Sequence, residues 1–161
     1  MDIKEAINKI DRGNCILFVG SGFSYGAEGK SGKLTTASDL VKELYQKAIG
    51  EDEPNGNLED AAELFIEKKG EFALIDFLKD KFNVFQITSS QEYIGSLSWL
   101  RIYTTNYDNV LDIAYQKNRR RLEHVYLSRR IRDYGNKNNL CIHLNGTIEN
   151  LTSDTINNEF K

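Results

Sequence analysis

The chain has 161 residues, of which 40% are hydrophobic and 28% charged, and its formal net charge is −3 at pH 7. That is the make-up of one soluble globular domain long enough to bury a core, and its slight acidity argues against a general nucleic-acid surface. No apolar run approaches the ~20 residues that cross a bilayer, and residues 1–10 lack the continuous apolar stretch of a secretory signal, so a cytoplasmic protein without a membrane partner is expected.

Ile3, Ala6, Ile7 and Ile10 fall at helical spacing and define a first helix closed by Gly13. Residues 15–19, Cys-Ile-Leu-Phe-Val, form a charge-free run that reads as a strand buried on both faces, as in the middle of a parallel sheet. Gly20-Ser21-Gly22-Phe23-Ser24 follows at once. Bare backbone N–H groups at such glycines can approach a phosphate closely, and Ser24 adds a hydroxyl at the same rim. The competing reading of the glycines is a tight turn that requires positive φ. Residues 25–36 read as a loop over this point.

The next part of the chain is mostly helical. Ser38 is an N-cap candidate for a helix carrying Leu40, Val41, Leu44, Tyr45 and Ala48 and stopped by Gly50. Asn57 caps a helix with Leu58, Ala61, Ala62 and Phe65 inward, ended by Gly70. Phe72, Ile75, Leu78 and Phe82 mark another, and a short helix runs from Ser89 or Ser90 to Leu97. Residues 38–98 exceed an ordinary crossover helix, so part of them is expected to be a helical module inserted in an α/β domain.

Residues 100–104 form the second strand, and Thr105-Asn106-Tyr107-Asp108 leads into a helix with Val110, Leu111, Ile113 and Ala114. Residues 124–127 and 140–144 are the third and fourth strands, the last followed by Asn145-Gly146-Thr147. Cys15 and Cys141 both lie in apolar runs and read as buried strand residues, not as a disulfide. The absence of any Cys-x-x-Cys excludes a four-cysteine zinc module, and no metal is expected. Strands alternating with helices imply a Rossmann-like parallel sheet. Ligands bind such sheets beyond the C-terminal strand ends, and three strands here end in polar turns: 20–24, 104–108 and 143–146.

Taken together, the three turns resemble the sirtuin-type NAD-binding domain, in its bacterial sirtuin-like branch. Gly-Ser-Gly-Phe-Ser (20–24) resembles the G-A-G-x-S phosphate loop, Thr-Thr-Asn-Tyr-Asp (104–108) the T-Q-N-x-D motif, and Ile-His-Leu-Asn-Gly (142–146) the segment ending in His-Gly. The resemblance spans residues 14–148 in outline and about fifteen residues by motif. It implies that Gly20, Ser21 and Gly22 offer backbone donors to the NAD pyrophosphate, with Ser24 near a phosphate or ribose. It makes Asn106 the residue that holds the nicotinamide ribose and positions a water, beside Thr105, and Asp108 the partner of the nicotinamide carboxamide. Read locally, Asn106 is equally a turn residue and Asp108 an N-cap for the following helix.

Three departures qualify the likeness. Asn145 stands before Gly146 where the family has histidine, and the nearest histidine is His143. Residues i and i+2 of a strand share a face, so His143 either serves as the base from roughly 6–7 Å further back or is a buried structural histidine with Asn145 in the catalytic slot. The chain also lacks the family's later segment that grips the adenosine ribose, which implies either a truncated domain or an unusually short member, whose exposed sheet edge favours self-association or a protein partner. Finally, the absent zinc module points away from protein deacylation and towards NAD hydrolysis. Such domains belong largely to anti-phage defence systems, and a non-catalytic nucleotide-binding or assembly module is the alternative. Arg119, Arg120, Arg121, Arg129, Arg130 and Arg132 form a basic stretch without a nucleic-acid motif, so nucleic acid is not expected as a partner.

Overall fold

The computed structural model describes residues 2–51, 56–126 and 139–159. In chain order the elements are α1 (Ile3–Asp11), β1 (Ile16–Val19), the one-turn α2 (Ser21–Ser24), β2 (Glu28–Gly29), β3 (Gly32–Lys33) and α3 (Ala37–Ile49). There follow α4 (Leu58–Lys69), α5 (Glu71–Phe82), β4 (Val84–Gln86), α6 (Ser89–Ser96), β5 (Arg101–Thr104), α7 (Val110–Lys117), β6 (Glu123–Tyr126), β7 (Leu140–His143) and α8 (Ser153–Glu159). Four strands form an all-parallel sheet in the order β1-β5-β7-β6, and β3-β2-β4 form a small antiparallel sheet. The molecule is thus an α/β fold with a parallel main sheet. No described helix is long and apolar enough to cross a membrane.

Local chemistry explains most boundaries. Asn57 Oδ1 accepts from the Asp60 amide at 2.8 Å and starts α4. Gly50 ends α3 at φ 79°, a left-handed conformation that glycine adopts without a Cβ penalty. The start of α3 differs from the sequence expectation. Thr36, not Ser38, is the cap, because Thr36 and Asp39 satisfy each other's backbone amides in a capping box. Strands β2 and β3 form a hairpin inside the segment read as loop, too short to carry an alternating pattern.

The strand read as central is an edge strand. On β1, Ile16 is 56% and Phe18 65% exposed, while Val19 is buried. The doubly covered strand is β7, all four of whose residues are buried between β5 and β6. A short apolar run does not reveal which of its faces is covered.

The long helical stretch divides. Helices α3, α4 and α5 share one apolar cluster with Ile148, Leu151 and Ile156 from the C-terminal segment. Helix α6 instead packs on α7, against the main sheet. Phe72, expected inward, is 76% exposed. The α6–α7 contact depends on Gly95, where an added Cβ would lie 2.6 Å from backbone atoms of Ala114. Backbone cannot rotate away as a side chain can. Gly95→Ala is therefore expected to lower stability by about 1–2 kcal/mol net, overpacking outweighing the gain in helix propensity. A urea denaturation midpoint unchanged from wild type would contradict this.

Candidate functional site

Register brings the strand ends level. Val19, Thr104, His143 and Tyr126 are successive partners across β1, β5, β7 and β6. The loops that follow leave from one edge, where parallel sheets collect ligands. They are bonded to one another: the Thr105 amide donates to Val19 O at 3.2 Å, and the Leu144 amide to Thr104 O at 2.9 Å.

Asn106 is the hub. Its amide N–H donates to Thr104 Oγ1 at 3.0 Å, which folds the chain back immediately after β5. Its Nδ2 donates to Gly20 O at 2.9 Å and to Ser24 Oγ at 2.8 Å. A carbonyl can only accept, so the Gly20 contact fixes which way the side-chain amide points. Both amide hydrogens are thereby taken, and Oδ1 is the group left for a ligand. The Ser24 hydroxyl also lies near the Asp108 carboxyl and favours its ionised form. That carboxyl accepts from the Val110 amide at 3.0 Å. Asp108 therefore acts at the head of α7, as the local reading allowed, and joins the loop network too. Burial pushes its pKa up, against the opposing pull of Ser24 and the Val110 bond.

Ser21, Ser24, Thr105, Asn106 and Asp108 line a cleft of about 150 Å³. Its other walls include Leu34, Leu40, Phe82 and Tyr107, so a polar floor faces apolar and aromatic sides. The Phe82 and Tyr107 ring centroids are 6.2 Å apart. Lys81 also reaches the cleft, but its buried ammonium is ion-paired with Glu43. Gly20 has φ −133° and Gly22 is not among the positive-φ residues, so no left-handed turn requires either glycine. Among the described residues a Cβ at Gly22 would meet no atom within 4 Å, whereas one at Gly20 would stand 3.4 Å from Thr105 Oγ1. The turn that does need glycine is at Gly146, φ 89°.

The third loop is tied to the second. Asn145 Nδ2 donates to Thr105 O at 3.5 Å, Asn145 also bonds the Tyr107 hydroxyl, and the Ile148 amide donates to Tyr107 O at 2.8 Å. Ser24, Asn106 and Asn145 thus belong to one loop cluster. Neither Asn145 nor His143 is a lining residue of the cleft. His143 is 3% exposed and turns towards β6 and α7.

There the structure adds Asp112, which sequence reasoning passed over, and His124, which it read only as the start of the third strand. His143 Nε2 lies 2.8 Å from His124 Nδ1, and His124 Nε2 lies 2.8 Å from Asp112 Oδ1. Burial, then the neighbouring His124, lower the pKa of His143 to about 4. Burial alone would lower that of His124, but the hydrogen bond and charge of Asp112 prevail and raise it. The donor atoms of His124, Cys141 and His143 all lie within 4.8 Å of one another, close enough for a metal ion. Against that use, the two imidazoles already bond each other directly, and burial drives the Cys141 pKa far upward, keeping the thiol protonated.

Of the basic stretch, Arg120 is built into the fold. It donates to Gly95 O, Leu97 O and Asn139 Oδ1 and lies over the Tyr115 ring. Arg129, Arg130 and Arg132 fall outside the described residues. No family model matches this chain, and no curated relative is found for it.

Proposed function

We propose that the chain is an NAD-hydrolysing domain that releases nicotinamide and ADP-ribose. The observation that carries this reading is Asn106, held by Gly20 O and Ser24 Oγ over a cleft it shares with Asp108. Cleavage of the N-glycosidic bond builds positive charge on the ribose, and a fixed amide oxygen at that point stabilises it without reorganising. Asn106 Oδ1 would face the nicotinamide ribose and hold a water. Asp108, biased by burial towards its protonated form, would meet the carboxamide. Phe82 and Tyr107 would flank a flat ring and exclude bulk water. The glycine loop would face the pyrophosphate with its backbone amides. A role in anti-phage defence follows from the same resemblance, and the edge strand β1 supports association with a second copy or a partner protein.

The test is to incubate the purified chain with NAD and separate the products by chromatography. Equimolar nicotinamide and ADP-ribose are expected. A second reading, a module that binds NAD or another nucleotide without cleaving it, is favoured by the burial of His143 behind the cleft wall. Saturable binding by calorimetry with no product at high protein concentration would select it. Neither binding nor turnover would defeat both.

A further inference from the structure

We propose that Asp112, His124 and His143 form a proton relay, in which a proton accepted at Nδ1 of His143 is carried as charge on the His124 imidazole and held there by Asp112. Valence fixes the direction of each bond in the chain of three. An ionised Asp112 only accepts, so His124 Nε2 must donate to it across 2.8 Å. When His124 is neutral its Nδ1 is then bare and must accept, so His143 Nε2 is the donor across their 2.8 Å contact. That assigns His143 its Nε2–H tautomer and leaves Nδ1 with a free lone pair. Nδ1 is buried and has no hydrogen-bond partner among the described residues.

A proton arriving at that atom need not stay on His143. The Nε2 proton crosses to His124 Nδ1, His143 becomes neutral again as the Nδ1–H tautomer, and the charge rests on His124. The surroundings favour this division. Asp112 on α7 and Glu149 on the turn Ile148–Asn150 favour a cation at His124, against Arg121 just before β6. His143 is more buried than His124 and lies near the Cys141 thiol and the Tyr126 ring, whose centroid is 5.6 Å away. The Gly146 and Asn106 backbones lie beside the His143 ring and favour its protonated form. Asn106 is also the hub of the cleft, so its backbone is shared by the cleft and the surroundings of His143. Asp112 and His124 are therefore positioning residues: they act through His143.

The use made of this relay rests on the NAD reading. In that reaction the attacking water bonds through oxygen to C1′ of the nicotinamide ribose, and the glycosidic electron pair leaves on the nicotinamide nitrogen. The proton the water sheds passes to Nδ1 of His143, and His124 later returns it to solvent by the same path. No other reactant is needed.

The experiment is a titration of the ¹⁵N-histidine-labelled full chain, observing the imidazole nitrogens by NMR, with His124→Gln giving the assignment. On acidification His124 is expected to become the cation while His143 stays neutral and changes from the Nε2–H to the Nδ1–H tautomer in the same step. Asp112→Asn is expected to uncouple the two changes. In parallel, Asp112→Asn is expected to lower kcat for NAD about 10–100-fold with KM within twofold, and Asp112→Glu to recover part of it. A single His143 tautomer throughout the titration would overturn the relay. So would stoichiometric Co²⁺ binding with a thiolate charge-transfer band, which would make the cluster a metal site. If the tautomer change is seen but no NAD is cleaved, the relay stands and the NAD reading falls; turnover without the change has the opposite meaning.

Discussion

Asn106→Ala is expected to reduce NAD turnover by about 10²–10³-fold, the loss typical when one preorganised polar group is removed from a developing charge. The substitution deletes the only part of Asn106 left for a ligand, Oδ1, together with the amide that holds Gly20 O and Ser24 Oγ. The Thr105 amide still donates to Val19 O, so the first and second loops stay linked and the fold is expected to survive. The cost to stability should be about 1–2 kcal/mol, since a buried carbonyl loses its donor. Initial rates of nicotinamide release, set beside NAD affinity from calorimetry, separate the two effects. The expected result is a large fall in kcat with affinity changed only a few-fold. Retention of wild-type kcat would remove Asn106 from the chemistry and place the NAD-cleaving groups elsewhere in the chain.

What the sequence made legible and what it hid follow from the range of the interactions. Helix limits depend on groups three or four residues apart, so Asn57 and Gly50 were readable from spacing alone. The α3 cap was missed by two positions because Thr36 and Ser38 are both cap residues and only Thr36 has Asp39 at the right offset. The loop cluster was legible for a similar reason. Gly20-Ser24 and Asn106-Asp108 each follow a strand closely, so knowing that the strands are parallel places both turns on one edge. Strand neighbours were not legible. Nothing local says that β1 lies at the edge or that β7 sits between β5 and β6. The pairing of His124 with His143 depends entirely on that order. His124 is the register partner of Cys141, and only that alignment puts its ring against a side chain two residues further on, with Asp112 of α7 behind it. For the same reason the displaced histidine of the third motif could not be placed from its own neighbours. The shared strand face foreseen for His143 and Asn145 holds no information about which wall that face meets.

The depth at which His143 lies also sets how the protein responds to acid. Its pKa in the fold is about 4, against an ordinary value of 6.5, with burial the first cause and His124 the second. Between those values the unfolded chain binds a proton at this residue and the folded chain does not. Stability therefore falls as pH drops from about 6.5 to about 4, by roughly 3 kcal/mol for a shift of this size. His124 works in the other direction. Its raised pKa means that its proton adds stability below 6.5, and that this contribution is lost as pH rises through the folded value. In the acid window His124 is charged in both states, so the slope there belongs to His143. His143→Gln should lower stability at pH 7 but flatten the acid limb, so that wild type loses about 3 kcal/mol more than the variant between pH 6.5 and pH 4. Urea denaturation at a series of pH values reads this difference directly, since the carboxylates elsewhere titrate alike in both proteins. Curves that run parallel through the window would mean that His143 takes up its proton as readily in the fold as outside it, and the buried, neutral histidine on which the relay depends would be lost with that result.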